Sequence, residues 1–184
     1  MFSATFDSPM QKIAQAFLND PVTISIKPDV SGHKDIKQIA YFSDNQSHKQ
    51  QLLDHFIKND DLTQGIIFTA TKRMADQLSD QLYHLDIASS ALHGDMSQGA
   101  RNKAINRFKR NQTKILVATD LASRGIDVQN ISHVFNYDMP RFAEDYIHRI
   151  GRTGRANKKG LAISLVSPTD REFLRKIEKF TKLK

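Results

Sequence analysis

Between Tyr146 and Arg155 the sequence reads YIHRIGRTGR and sets Arg149, Arg152 and Arg155 at three-residue intervals around Gly151 and Gly154. Each guanidinium is a planar fork of donors that matches phosphate oxygens, and a glycine beside it removes the side chain that would hold an anion off the backbone. A glycine within a helix costs about 1 kcal/mol relative to alanine, so two of them favour a phosphate-facing turn over an ordinary basic helix. The alternative is an exposed basic helix whose arginines pair with Glu144 and Asp145.

Other polar clusters follow short apolar runs. After Ile115 to Ala118 comes TDLASRGID (119–127), in which hydroxyls, Arg124 and Gly125 stand where a nucleic-acid backbone can approach, and Asp127 can accept from a ribose hydroxyl. Asp120 and Asp127 equally suit helix capping or an internal pair with Arg124. After Ile66 to Phe68 come Thr69, Thr71 and Arg73, with capping of the next helix the other reading for Thr71. After Leu92 come His93, Gly94 and Asp95, then a helix in which Gln98 and Arg101 share a face. Arg101, Lys103, Arg107, Lys109 and Arg110 form a basic run without an acid, either a solvated face or a phosphate contact. Such contacts position a backbone without identifying bases, and neutralising several phosphates makes affinity fall steeply with salt.

The elements that position these residues are legible from periodicity. Ile66 to Phe68 and Ile115 to Ala118 are continuously apolar, as central parallel strands covered on both faces require. Ile36 to Phe42, Ala88 to Leu92, Val134 to Tyr137 and Ala162 to Val166 read as further strands. Between them lie single-faced helical sets: Leu52, Leu53, Phe56 and Ile57; Met74, Ala75, Leu78 and Leu82; Ala100, Ala104, Ile105 and Phe108. A last helix is signalled by Ser167 as cap, Pro168, Asp170, and a face of Phe173, Leu174, Ile177 and Phe180. Strand-helix alternation predicts an α/β fold with a doubly wound, mainly parallel sheet and helices on both faces. In such a sheet ligands gather beyond the carboxyl ends of the strands, where these polar clusters lie.

Residues 1–26 differ, with an apolar helix face of Met10, Ile13, Ala14, Phe17 and Leu18 and a strand-like alternation of Val22, Ile24 and Ile26. Such a helix and strand normally need a sheet to cover them, so the expectation is that they are disordered, packed on the main domain or paired with another copy. Residues 27–35, KPDVSGHKD, read as a linker, leaving 36–184 as the main domain. The net charge is +7, and residues 1–26 carry one lysine against two aspartates, so the positive charge belongs to the main domain and suits a polyanionic partner. Cysteine is absent, which excludes disulfides and thiolate metal sites. No apolar stretch nears the roughly 20 residues that span a bilayer, and a cytoplasmic protein without a membrane partner is expected. The sequence contains no G-x-x-x-x-G-K-[ST] phosphate loop, so the chain alone is not expected to hold a nucleoside triphosphate.

Five segments, GIIFTAT (65–71), ALHGDMSQGAR (91–101), ILVATDLASRGIDV (115–128), HVFNYDMP (133–140) and YIHRIGRTGR (146–155), closely resemble in order and spacing the C-terminal RecA-like domain of DEAD-box RNA helicases, in helicase superfamily 2. His148 favours this group over the related DEAH and RecQ-type families, where glutamine is usual. FSAT (2–5) is similar to the end of the family's first domain, so residues 1–26 would be its C-terminal remnant. The resemblance implies that Arg152 and Arg155 are arginine fingers reaching the γ-phosphate held on the other domain, and that Gly125 and Asp127 line the nucleotide. By the same likeness Thr71, Arg73, Gly94, Gln98, Arg101, Thr119, Asp120 and Arg124 hold or shape the RNA path, and Ser3, Thr5 and His148 couple the two domains.

The resemblance also implies ATP with Mg2+ as cofactor, held mainly by the N-terminal RecA-like domain that would lie upstream of residue 1, with RNA and that domain as partners. The expected activity is that of an ATP-dependent RNA helicase, to which this chain contributes fingers and an RNA surface while lacking ATPase activity itself. It is expected to be monomeric. Competing readings are a stand-alone RNA-binding module without catalysis and a DNA helicase fragment.

Overall fold

The computed structural model describes residues 8–24, 35–58, 61–123, 126, 128, 131–154 and 158–182. Its six strands are β1 (Ile36–Phe42), β2 (Gly65–Phe68), β3 (Ser89–Leu92), β4 (Ile115–Ala118), β5 (His133–Asn136) and β6 (Gly160–Val166). They form one sheet in the order β1-β6-β5-β2-β4-β3, and every neighbouring pair is parallel. The helices are α1 (Ser8–Phe17), α2 (Gln46–Ile57), α3 (Lys72–His84), α4 (Gln98–Lys109), α5 (Asp120–Ser123), α6 (Ala143–Ile150) and α7 (Arg171–Thr181).

The period-2 alternation of the strands sorts the core into two layers. Ile67, Ile115, Val117, Phe135, Ile163 and Leu165 pack with Leu53 and Ile57 of α2 and Ala75, Leu78 and Leu82 of α3. On the opposite face Ile66, Phe68, Leu116, Ala118 and Val134 meet Ala104 and Phe108 of α4, while Ala162 and Val166 meet Tyr146 and Ile150 of α6 and Ile177 of α7. The helices therefore cover both faces, as the sequence pattern predicts. Apolar side chains of this size contribute about 1.5–3 kcal/mol each when fully buried.

Local signals set the helix starts. Asn45, Thr71 and Ser97 cap α2, α3 and α4, each accepting a backbone N–H three residues on. Ser167 is tied to Asp170, its N–H donating to Oδ2 at 3.1 Å, but the turn it starts, Pro168–Asp170, is a 3-10 helix that leads into α7 at Arg171. The α7 face holds Ile177 buried, with Phe180 left 41% exposed.

The strand expected from Val22, Ile24 and Ile26 is not found over residues 21–24, which form no regular element; Val22 and Ile24 are exposed. Strand backbone groups need a neighbour, and none of the six strands offers those residues one. Helix α1 buries Ala14 but leaves Phe17 82% exposed, so its apolar face is only partly covered. Ile26, the FSAT segment and residues 27–34 of the expected linker lie outside the described residues.

Candidate functional site

The carboxyl ends of β2, β4 and β3, neighbours in the sheet, feed three loops that carry most of the expected RNA-facing residues. After β2, Thr71 starts α3 with its Oγ1 accepting from Met74 N–H at 3.2 Å, and Arg73 is exposed in the first turn. The capping reading of Thr71 is thus met, and its hydroxyl remains at the surface. After β3, Gly94 is exposed with open space where a Cβ would stand, leaving its backbone accessible. Gln98 Nε2 donates to Asn102 Oδ1 at 2.9 Å, while Arg101 Nη2 donates to Ala122 O at 2.7 Å. Arg101 therefore links α4 to α5, and the two side chains expected on one face point to different partners. Lys72 and Asp95 join the first two loops by an ion pair, which holds the Asp95 carboxyl below its usual range.

After β4, Thr119 N–H donates to Leu92 O at 3.1 Å, closing the β4 end against β3. Asp120 does not face solvent alone, and Arg124, its other expected partner, lies outside the described residues. Its carboxylate takes a bidentate grip from Arg149, Nε to Oδ1 at 2.6 Å and Nη2 to Oδ2 at 2.8 Å. Arg149 Nη1 also donates to Asn136 Oδ1 at 3.2 Å and Asp138 O at 2.6 Å, and the guanidinium lies 5.0 Å from the Phe68 ring centroid. Arg149 is 3% exposed, which corrects its reading as one of three phosphate-facing arginines. Its pairing with Glu144 or Asp145 is not found either. Arg149 lies in the last turn of α6 on the face turned to the sheet, whereas Arg152 falls beyond the helix end at Ile150.

Arg152 follows α6 in a turn, with Nη1 donating to Ile126 O at 2.8 Å. Beside it Thr153 is buried and its Oγ1 donates to Ile131 O at 2.5 Å, and a short parallel bridge joins Ile131 to Thr153. Gly154 has φ +67, and a Cβ there would collide with Ile36 Cγ1, so this glycine serves backbone conformation and close packing and not anion access alone. His148 is exposed on α6. Ser3, Thr5, Arg124, Gly125, Asp127 and Arg155 lie outside the described residues. Among the described residues no three His, Asp or Glu side chains gather as a metal would require.

Four residues that sequence reasoning did not assign bear on this region. Asn136 is fully buried and donates Nδ2–H to Ser164 Oγ at 3.0 Å while receiving Arg149. Asp138 Oδ2 accepts from Ala70 N–H at 2.8 Å, pinning the loop after β2. Lys49 is a buried cation whose Nζ stands 3.7 Å from Asp138 Oδ1 and 3.6 Å from Asp170 Oδ2. Tyr137 accepts from Gln46 Nε2 at 2.7 Å. The signal for two of them was the polar Asn and Asp in HVFNYDMP, placed at the end of an apolar strand.

A parallel sheet with these three loops at its carboxyl edge and an arginine-bearing turn after α6 defines a RecA-like domain. Residues 48–157 match the helicase conserved C-terminal domain. The chain belongs to that family, as the C-terminal RecA-like domain of the DEAD-box helicases. It is 43% identical over 182 residues to the ATP-dependent RNA helicase SrmB of Haemophilus influenzae, covering 98% of this chain and 42% of that protein. SrmB of Escherichia coli is 42% identical over 181 residues, with 41% of its length covered. The chain thus spans less than half the length of these curated relatives.

Solved structures agree. The E. coli SrmB structure bound to regulator of ribonuclease activity A superimposes with TM-score 0.74 at 44% identity, over 77% of this chain and 83% of that one. A DEAD box protein from Methanococcus jannaschii gives TM-score 0.76 at 39% identity, over 100% of this chain and 49% of that one.

Proposed function

We propose that the chain is the C-terminal half of an ATP-dependent RNA helicase, acting in duplex unwinding or ribonucleoprotein remodelling after closure on an N-terminal RecA-like domain. The observation that carries this reading is the convergence of Thr71, Arg73, Gly94, Arg101 and Thr119 on the loops after three adjacent strands, β2, β4 and β3. The exposed Thr71 and half-buried Thr119 hydroxyls, an accessible glycine backbone and arginines along one edge suit a sugar-phosphate chain without reading bases. Residues 1–26 are read as the remnant of the first domain, which explains an apolar α1 face left partly bare.

Phosphoryl transfer spreads charge over the equatorial oxygens of the moving group, and an arginine supplied from a second body stabilises it. Arg152 suits that role because its guanidinium is already oriented by Ile126 O, while Arg155 belongs to it by family resemblance. The described donors of this chain fit a phosphate better than a divalent cation, so the Mg2+ that would accompany ATP is assigned to the other domain. Bound there, it would neutralise phosphate charge, and this chain's part is to bring the fingers and hold the RNA.

The test is RNA-stimulated phosphate release by the full-length protein. Arg152→Lys and Arg155→Lys are expected to lower turnover by about 10³-fold or more while retaining most RNA affinity, because lysine lacks the fork. Unchanged turnover refutes the finger assignment. Equal affinity for matched RNA and DNA strands at fixed salt refutes the RNA assignment.

A further inference from the structure

The loop between β2 and α3, residues 69–71, leaves the sheet and must bond its backbone to something other than a strand. Its two ends are held locally. Thr69 N–H donates to Ala118 O at 3.0 Å, and Thr71 caps α3. Between them Ala70 is exposed, and its N–H donates to Asp138 Oδ2 at 2.8 Å across 68 positions of sequence.

The backbone of Asp138 is itself held from two sides. Its N–H donates to Phe68 O at 3.1 Å, which carries the parallel β2–β5 ladder past its last registered pair, Phe68 with Asn136. Its carbonyl accepts from Arg149 Nη1 at 2.6 Å. With both backbone groups committed, the carboxylate has little freedom to move. Its other oxygen, Oδ1, stands 3.7 Å from Nζ of Lys49, whose side chain is 5% exposed. One oxygen therefore answers a buried charge while the other reaches out to the loop. Water could satisfy an exposed N–H equally well, so the bond to Ala70 adds less to stability than to the shape of the loop.

We propose that Asp138 is a positioning residue for RNA binding, its carboxylate fixing Ala70 and with it the placement of Thr71 and Arg73. Asp138 is unsuited to touching RNA itself, because a carboxylate repels phosphate. Its part is to hold the loop in the shape that RNA takes up, so that less ordering remains to be done on binding. The inference rests on the helicase reading for its ligand and on the contacts of Asp138 for its geometry.

The experiment measures KM for single-stranded RNA and kcat in RNA-stimulated phosphate release by the full-length protein. Asp138→Ala is expected to raise KM about ten-fold with kcat changed far less, since a loop that must be ordered on binding costs affinity. Asp138→Asn keeps the shape but divides one oxygen between Ala70 and Lys49, and a rise of about three-fold is expected. Lys49→Met is the control. It disturbs the same cluster yet leaves the acceptor for Ala70, so KM is expected to stay within about two-fold of the unsubstituted value. A KM unchanged in Asp138→Ala, or raised equally by Lys49→Met, overturns the proposal. Amide exchange in the unsubstituted 184-residue chain reads the same bond without variant or RNA. Ala70 N–H is expected to be protected, and exchange at the rate of a free amide removes the pin. Absence of RNA stimulation in the unsubstituted full-length protein, with Ala70 still protected, sinks the helicase reading and takes this assignment with it.

Discussion

Arg149 and Asp120, 29 residues apart in sequence, meet through two parallel hydrogen bonds of 2.6 and 2.8 Å at the carboxyl edge of the sheet. The arginine is buried, the aspartate side chain is 36% exposed, and Asn136 Oδ1 and Asp138 O accept from Nη1. This pair fixes α6 against α5, and hence fixes where the turn carrying Arg152 begins.

A pair of this kind is costly to break from one side, because the survivor is left charged and desolvated. Asp120→Ala is expected to destabilise the chain by about 3–5 kcal/mol in urea unfolding, against under about 1 kcal/mol for an exposed pair. The double variant Arg149→Met with Asp120→Leu should recover most of the loss. A single-variant loss below about 1 kcal/mol, with no coupling in the cycle, contradicts a buried clamp.

Gly154→Ala combines two penalties. A left-handed backbone costs a non-glycine residue about 1–2 kcal/mol, and the new methyl group meets Ile36. With overpacking of about 1–3 kcal/mol added, a loss of about 2–5 kcal/mol is expected by denaturant unfolding. Trimming the neighbour in Gly154→Ala/Ile36→Val should return the steric part only, so a full return to wild type argues against the backbone strain.

Elements with a one-dimensional signature were legible in the sequence. The apolar quartets of β2 and β4 read as central strands because both faces are covered, and Thr71 carried a capping signal that the structure bears out. What failed depended on distance along the chain. Nothing near Arg149 announces Asp120, and the nearby acids Glu144 and Asp145 offered a false local partner. Buried Lys49 likewise looks like a surface residue until Asp138 and Asp170 are brought to it from 89 and 121 positions away. The strand expected near Val22 failed because alternation promises a face to bury, not a sheet to join.

Lys49 tests whether that burial matters. Its ammonium sits between two carboxylates and 5.2 Å from the centroid of the Tyr137 ring. Lys49→Met keeps the length of the stem but leaves Asp138 and Asp170 facing each other, and a loss of about 3 kcal/mol is expected in thermal or urea unfolding. Lys176→Met, which removes the exposed partner of Glu172, serves as the control and should leave stability unchanged within error. Equal effects of the two substitutions show that the Lys49 cluster is screened like a surface pair.

Alkaline titration probes the same core from another side. Burial pushes both Tyr137 and Tyr146 up to about 12, with Asp138 and Asp54 adding to the rise at Tyr137 and a Ser164 hydrogen bond opposing it at Tyr146. Their hydroxyls are held by Gln50 at 3.3 Å and Gln38 at 2.9 Å. In the unfolded chain a tyrosine releases its proton near pH 10, so between about pH 10 and 12 the native state holds more protons than the unfolded one. Stability therefore falls as pH rises through that window, by up to about 1.4 kcal/mol per pH unit for Tyr146. Tyr137, which is also buried, adds to the same decline. Ultraviolet titration should show Tyr137 and Tyr146 ionising late, near pH 12. Replacing Tyr146 by phenylalanine should flatten the decline in the unfolding free energy above pH 10, and an unchanged slope would place that hydroxyl in contact with water.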